Sequence, residues 1–385
     1  MGMSRIYKLI FLFLIFSNAQ LFPQTPGAFS TQSYLPLLKG KKVALVVNHT
    51  SLIGRTHVAD SLLALGIKIQ KIFAPEHGFR GDADAGAHIA NGVDQKTGLP
   101  IVSLYGAHKK PTIEDLKDVD LVVFDIQDVG ARFYTYSSTL HYVMEACAEN
   151  KKPLVIFDRA NPNGHYVDGP VLEKAFASFV GLNPIPVVHG CTMGELAQMI
   201  NGEGWLAGHL RCELQVIPVA HYKHADVVNI SIAPSPNLPT NQAIGLYPSL
   251  CFFEGTAVSV GRGTNTQFQV AGAEGTGLGA YQFTPVPTPG AMDPPLKGKL
   301  CSGFDLRQVN TRKLGFSLNY LFYFFEKSGK KESFFTSPSF FDKLAGTDQL
   351  RKQMLAGHSE KDIRASWQPA LNQYKALRKK YLIYR

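Results

Sequence analysis

Short apolar runs alternate with helix-forming stretches through the first two thirds of the chain. VALVVN (Val43–Asn48), IQKIFA (Ile69–Ala74), LVVFDI (Leu121–Ile126), LVIFD (Leu154–Asp158) and LQVIPV (Leu214–Val219) lack the apolar–polar alternation of a half-solvated strand. Continuous apolar strands of this kind are covered on both faces, as in a parallel sheet. Between them, HVADSLLAL has helical spacing and stops at Gly66, Thr112-Ile113-Glu114-Asp115 opens a short helix, and Ser137–Glu149 reads as a longer one. Thr192-Met193-Gly194-Glu195 is a capping box ahead of a further helix. This βαβα order predicts an α/β fold with a doubly wound, mainly parallel, Rossmann-like sheet.

The rhythm changes near residue 230. APSPNLPTNQ (Ala233–Gln242) carries three prolines and resists regular structure. Beyond it come short strands, a glycine-rich stretch (Gly272–Gly279) and two helical regions, Ser317–Lys327 and a stretch from Ser359 interrupted near Pro369. The expected organisation is a Rossmann-like catalytic domain over residues 24–230 and a smaller C-terminal α/β domain over residues 231–385. A chain of 385 residues is long enough for two such units.

The N-terminus departs from this pattern. Arg5 and Lys8 precede the apolar run Leu9–Phe16, and Ser17-Asn18-Ala19 supplies small residues at a cleavage site. Residues 1–19 therefore read as a signal peptide, and the expected location is periplasmic or secreted. Its removal lowers the formal charge of +9 by two, and the remaining basic residues are scattered rather than interleaved with aromatics. Nucleic acid is not an expected partner, and no stable membrane insertion is expected once the leader is cut. The five cysteines form no C-x-x-C pair and read as small buried residues.

In open parallel sheets, ligands bind beyond the carboxyl ends of the strands. Four clusters fall there: Asn48-His49-Thr50; Pro75-Glu76-His77-Gly78; Asp125 to Tyr134, with Asp128 and Arg132 inside it; and Asp158-Arg159-Ala160-Asn161. Glu76 is the sharpest candidate. Pro75 constrains the chain's exit and Gly78 allows a tight reversal. A carboxyl in a partly desolvated crevice is favoured in its protonated form, which a general acid at neutral pH requires. His77 is a ligand or base candidate, or a structural histidine. Asp125, Asp128 and Arg132 form either an internal ion network or part of a substrate site. Arg132 and Arg262 suit a carboxylate, because a guanidinium matches it bidentately. Glu254 to Thr264 is a compact polar loop that brings backbone close to a ligand or makes a structural turn. H-E-x-x-H, G-K-[ST] and G-x-S-x-G are absent, which disfavours a zinc site, a nucleotide site and a hydrolase triad.

Taken in order, PEHGFRGDADAG, LPIVSLYG, DIQDVGARFYTY, DRANPNG, HGCTMGELAQMIN, PSPNLPT, FEGT with SVGRGT, FDKLAGTDQLR and KKYLIY resemble the exo-β-N-acetylmuramidases that trim peptidoglycan. The resemblance runs from about residue 38 to the C-terminus. It implies a Rossmann-like domain and a smaller C-terminal domain with a cleft between them. It implies release of N-acetylmuramic acid from the non-reducing end of peptidoglycan-derived glycans or muropeptides, with no cofactor; the histidine pattern separately gives no expected metal site. It places the proposed catalytic glutamate on Glu76. Asp125, Asp128 and Glu254 are candidates for the second catalytic group, with the sugar's own acetamido group as another. Asn48, His77, Arg132, Tyr134, Asp158, Arg159, Asn161, Asn237, Glu254, Arg262 and Thr264 are the expected substrate contacts. The loop Phe79–Gly98 would wall the sugar pocket. Two positions depart from the family pattern: Ala87, where an acidic residue is usual, and Ala257, where E-G-T-N is usual. A non-catalytic muropeptide or amino-sugar binding protein is the competing expectation, and a metal-dependent deacetylase or peptidase a weaker one.

Overall fold

The computed structural model describes residues 24–79 and 91–385. The expected signal peptide, Ala87 and most of the expected pocket wall lie outside the described residues. A seven-stranded sheet organises the first part: β1 (Lys42–Val47), β2 (Lys68–Ala74), β3 (Gly92–Val93), β4 (Pro100–Ser103), β5 (Leu121–Asp125), β6 (Leu154–Phe157) and β7 (Leu214–Ile217). Their spatial order is β7-β6-β5-β1-β2-β4-β3. All neighbours are parallel except the β3–β4 edge pair. The chain moves outward from β1 through β2 to β4, then returns to lay β5 on the other side of β1. That reversal is the topological switch point of a doubly wound sheet.

The unalternated strands are explained by their two faces. Val43, Leu45 and Val47 pack with the helices α1 (Thr31–Leu38) and α2 (Val58–Ala64). Ala44 and Val46 face the opposite core, with α4 (Tyr136–Glu149) and α5 (Met193–Gly202). The short α3 (Ile113–Leu116) and α5 both start from full capping boxes, at Thr112–Asp115 and Thr192–Glu195. Strand β3 falls inside the expected loop, and β4, for which the sequence pattern named no element, extends the sheet beside it. They are short, and Pro100 at the head of β4 blurs the strand signal.

The second part carries an antiparallel sheet of β8 (Val258–Ser259), β9 (Val270–Glu274), β10 (Tyr281–Phe283) and β11 (Cys301–Asp305), in the order β8-β9-β11-β10. The proline-rich segment leads into α6 (Asn241–Leu250), whose N-cap Thr240 accepts the Ala243 N–H. Helices α7 (Asn319–Lys327), α8 (Pro338–Ala345) and α9 (Glu360–Arg378) follow. The expected interruption of α9 is not found. Pro369 sits inside it on an exposed face, and the buried stripe Ile363, Trp367, Leu371 and Tyr374 carries the helix through. The lost hydrogen bond falls where water can replace it.

The two parts share one apolar core, which runs from the sheet through α6 and on to α9. The chain end closes back on the first part. Tyr384 donates to Asp158 Oδ2 at 2.6 Å and accepts the Val219 N–H at 2.9 Å, while the Ile383 N–H reaches Glu195 Oε1 at 2.9 Å. All five cysteines are buried free thiols. Among the described residues no helix is long and apolar enough to cross a membrane.

Candidate active site

A cleft of about 480 Å³ opens beyond the carboxyl end of β2. Glu76 and His77 enter it from the turn after β2, Tyr105, Gly106 and Lys109 from the loop after β4, and Phe133, Tyr134 and Thr135 from the approach to α4. Ser235, Asn237 and Leu238 come from the proline-rich segment; Tyr247, Glu254, Arg262, Phe268 and Phe340 come from the second part. Phe179 and Val180 complete the wall.

The turn that presents Glu76 is built from local rules. Gly78 donates its N–H to Pro75 O at 3.0 Å, and His77 and Gly78 both take positive φ, 69° and 75°. Glycine adopts this region freely, whereas a buried histidine there is an uncommon conformation held by its surroundings. The Thr135 hydroxyl donates to Glu76 Oε2 at 2.6 Å, and the Tyr105 hydroxyl hydrogen-bonds the same carboxyl. Burial, then the Glu76 charge and this bond, push the Tyr105 phenol above its ordinary range. Behind them Asn48 Nδ2 donates to Tyr136 Oη at 2.9 Å, and Tyr136 in turn lies 3.4 Å from Glu76 O. The carboxyl is thus fixed by two hydroxyls and its backbone by a third.

The same cleft is lined by a second acid, Glu254. Arg262 Nε donates to Glu254 Oε1 at 2.7 Å, and Nη2 closes on the same oxygen. The guanidinium also lies over Phe268, 5.2 Å from the ring centre. Burial works against this charge, but the field and hydrogen bond of Glu254 outweigh it and hold the Arg262 pKa above its ordinary value. Gly261 and Gly263, at φ 79° and 77°, let the chain turn on either side of Arg262. A Cβ at Gly263 would meet Val286 O at 2.5 Å.

Of the expected site residues, Glu76, His77, Tyr134, Asn237, Glu254 and Arg262 line the cleft. The others are spent elsewhere. Asp125 is fully buried and holds Arg159 bidentately, at 2.5 and 3.0 Å. Arg159 borders a separate cavity of about 170 Å³ with Thr50 and Gln127. Asp158 accepts from Thr192, Gly194 and Tyr384. Burial, outweighing these donors, raises its carboxyl to about 6. Asn161 donates to Cys191 O at 2.8 Å, and Thr264 closes its own turn on Gly261 O at 2.7 Å. Asn48 acts one layer back, through Tyr136. Arg132 requires the plainest correction. It is fully buried and donates to the carbonyls of Pro170, Ile185 and Leu344 at 2.8, 2.9 and 2.8 Å, so it does not face a ligand.

Asp128 is also behind the cleft. Its Oδ2 accepts the Gly130 N–H at 2.6 Å, its Oδ1 has no hydrogen-bond partner among the described residues, and His189 Nε2 stands 3.9 Å from Oδ2. Burial raises the Asp128 carboxyl to about 7 and lowers His189 to about 3. A carboxyl raised in the fold stabilises the native state fully below its unfolded pKa of about 4 and loses that contribution as pH rises through 7. The His189 term has the opposite sense: it is present above the unfolded histidine value and lost as pH falls toward 3. It is common to wild type and Asp128→Asn, so it cancels in their difference. Urea denaturation is therefore expected to show Asp128→Asn gaining on wild type from about pH 4.5 to about pH 7.5, by about 1.4 kcal/mol per pH unit at most. A difference independent of pH would refute this account of Asp128.

Residues that sequence reasoning did not place here are Tyr105, Lys109, Thr135, Phe179, Ser235, Tyr247, Phe268 and Phe340. Thr135 and Tyr105 lay inside recognised motifs. The aromatic walls carried no local signal. Among the described residues no cluster of three His, Cys, Asp or Glu side chains could hold a metal ion.

Comparison with known proteins gives a consistent result. The N-terminal sequence model of the exo-β-N-acetylmuramidase NamZ family matches residues 43–242, and its C-terminal model matches residues 245–384. The peptidoglycan β-N-acetylmuramidase NamZ of Bacillus subtilis (strain 168) is 39% identical over 383 residues, covering 91% of this chain and 89% of that protein. Two crystal structures of DUF1343 family proteins from Bacteroides fragilis NCTC 9343 have similar folds. One is 44% identical with a TM-score of 0.88, the other 28% identical with a TM-score of 0.82. Each alignment covers 94% of this chain and 99% of the other.

Proposed function

The chain belongs to the exo-β-N-acetylmuramidase NamZ family, and on that premise we propose that it is a glycoside hydrolase releasing N-acetylmuramic acid from the non-reducing end of peptidoglycan fragments. The observation that carries the reading is Glu76. The family's P-E-H-G glutamate stands in an open cleft, with its carboxyl oriented by Thr135 and Tyr105 and a second carboxylate, Glu254, lining the same cleft.

The chemistry follows from that arrangement. Glu76 donates a proton to the glycosidic oxygen as its bond to the anomeric carbon breaks. The departing sugar develops oxocarbenium character, which a nearby anion stabilises. Of the three acids considered from sequence, Glu254 is the one that lines the cleft, while Asp125 and Asp128 are sequestered. Its pairing with Arg262 fixes its position, and it serves either as nucleophile or as base toward water. The aromatic lining, Tyr134, Phe179, Tyr247 and Phe268, suits the apolar faces of a sugar ring. Export to the periplasm or cell exterior belongs to the same reading, supported by Arg5, Lys8 and the apolar run after them.

The test is incubation of the protein with nitrophenyl β-N-acetylmuramide beside the N-acetylglucosamine analogue. Release of nitrophenol from the muramide alone is the expected result. Tight binding of the muramide without turnover would replace the hydrolase by a binding protein. Protein recovered from the exported fraction should begin after Ala19, and a native N-terminus at Met1 would overturn export.

A further inference from the structure

The cleft has three cationic or potentially cationic side chains facing it, His77, Lys109 and Arg262. Arg262 is engaged by Glu254 on the same wall. His77 is a buried turn residue. Lys109 differs from both: its ammonium lies 4.9 Å from the centre of the Phe179 ring, and no carboxylate among the described residues pairs with it.

Its position is built rather than incidental. The loop after β4 carries Tyr105, Lys109 and Lys110. At one end, Tyr105 reaches Glu76. At the other, Lys110 Nζ is held at 2.7 Å from both Glu145 and Glu149 on α4. Lys109, between these anchors, turns to the cleft and rests on Phe179. That ring is itself supported by Tyr105 at 6.0 Å and stacked on Tyr142 at 6.4 Å. An ammonium on an aromatic face keeps its charge while part of its hydration shell is removed, so an incoming anion meets a stronger field than in water.

We propose that Lys109 is the specificity-determining cation of this cleft and that it binds the free lactyl carboxylate of a muramic acid residue. The inference rests on the exo-muramidase reading and deepens it. That carboxylate is the charge that separates muramic acid from N-acetylglucosamine, and Arg132, one of the two arginines whose sequence position suited a carboxylate, is buried on backbone carbonyls. The shared loop links the two events. The segment that hydrogen-bonds the general acid also carries the receptor for the substrate's charge, so a bound carboxylate sets the sugar in register with Glu76. A lactyl group converted to an amide has no charge for Lys109 to meet.

The experiment compares wild type, Lys109→Met and Lys109→Arg on nitrophenyl β-N-acetylmuramide and on the same glycoside with its lactyl group as the methylamide. Wild type should prefer the free acid by about 10- to 100-fold in kcat/KM, the range of one charge-assisted hydrogen bond. Lys109→Met should lose that preference by slowing on the acid alone, and Lys109→Arg should retain most of it. If wild type hydrolyses acid and amide equally, or Lys109→Met keeps the preference or slows equally on both, the assignment of Lys109 is overturned while the hydrolase reading stands. If wild type hydrolyses neither glycoside, both fall.

Discussion

Glu76→Gln lowers kcat on a natural muramyl disaccharide by about 10²–10⁴-fold, the usual contribution of general acid catalysis, while the fold and ligand affinity persist. Glutamine keeps the shape of the side chain, and its amide can still meet the Thr135 and Tyr105 hydroxyls that orient the carboxyl. What it lacks is the proton for the departing oxygen. The defect should therefore depend on the leaving group. A nitrophenolate departs with little help, so the loss on a nitrophenyl glycoside should be much smaller than on the disaccharide. Steady-state kinetics on the two substrates make the comparison, with circular dichroism as the folding control. Near-normal turnover of the disaccharide by Glu76→Gln would remove Glu76 from the acid role. An equal loss on both substrates would instead assign it a nucleophilic or electrostatic role, leaving the acid to be found elsewhere.

Much of the fold was legible because both-face burial leaves a direct trace. Val43 to Val47 shows no alternation, since odd and even positions enter two different cores. The helix start at Thr112 and the capping box at Thr192 also read true, because their chemistry is local. The failures share a different cause. Pro369 breaks a helix by propensity, yet a buried stripe every three to four residues holds α9 together. Strands β3 and β4 have little signal of their own: β4 exists because β2 offers it an edge, and β3 because β4 then offers another.

The site was legible in part, through Glu76, His77, Tyr134, Asn237, Glu254 and Arg262. Glu76 stands where a strand ends, and position in a parallel sheet is something a sequence pattern encodes. The polar clusters after β1, β5 and β6 were expected to converge on one ligand. Most bond within the protein instead, Asp125 to Arg159, Asp158 to Tyr384 and Asn48 to Tyr136, while Tyr134 reaches the cleft. A charged residue at a strand end reads the same in sequence whether its partner is a substrate or a residue thirty positions away. The aromatic walls were hidden for another reason. Phe179, Tyr247, Phe268 and Phe340 come from four separate segments, and only the tertiary fold brings them to one cleft.

Arg132 gives this distinction its sharpest test. Its three donor contacts join the backbone at Pro170 and Ile185, which flanks the Phe179–Val180 wall, to Leu344 on α8, the helix that carries Phe340. Gly346 and Gly181 approach its side chain closely enough that an added Cβ would meet it at 2.7 and 3.2 Å. Arg132→Ala would take a charged donor from three buried carbonyls, of which Ile185 O keeps the Leu172 N–H at 3.1 Å; each lost bond costs roughly 1–3 kcal/mol, and a cavity is left where the stem packed. The wild-type arrangement carries its own cost, since burial without a counter-charge lowers the guanidinium to about 9. Releasing that cost offsets part of the loss, so the net destabilisation is expected to be about 3 kcal/mol or more, a large share of the roughly 5–15 kcal/mol of a typical domain. Urea denaturation of Arg132→Ala and Arg132→Lys measures it. Lysine keeps the charge but not the planar fork, and should fall between alanine and wild type. A ligand contact would give the opposite pattern, with normal stability and a raised KM. Arg132→Ala within about 1 kcal/mol of wild type, with KM alone affected, would return Arg132 to the substrate site.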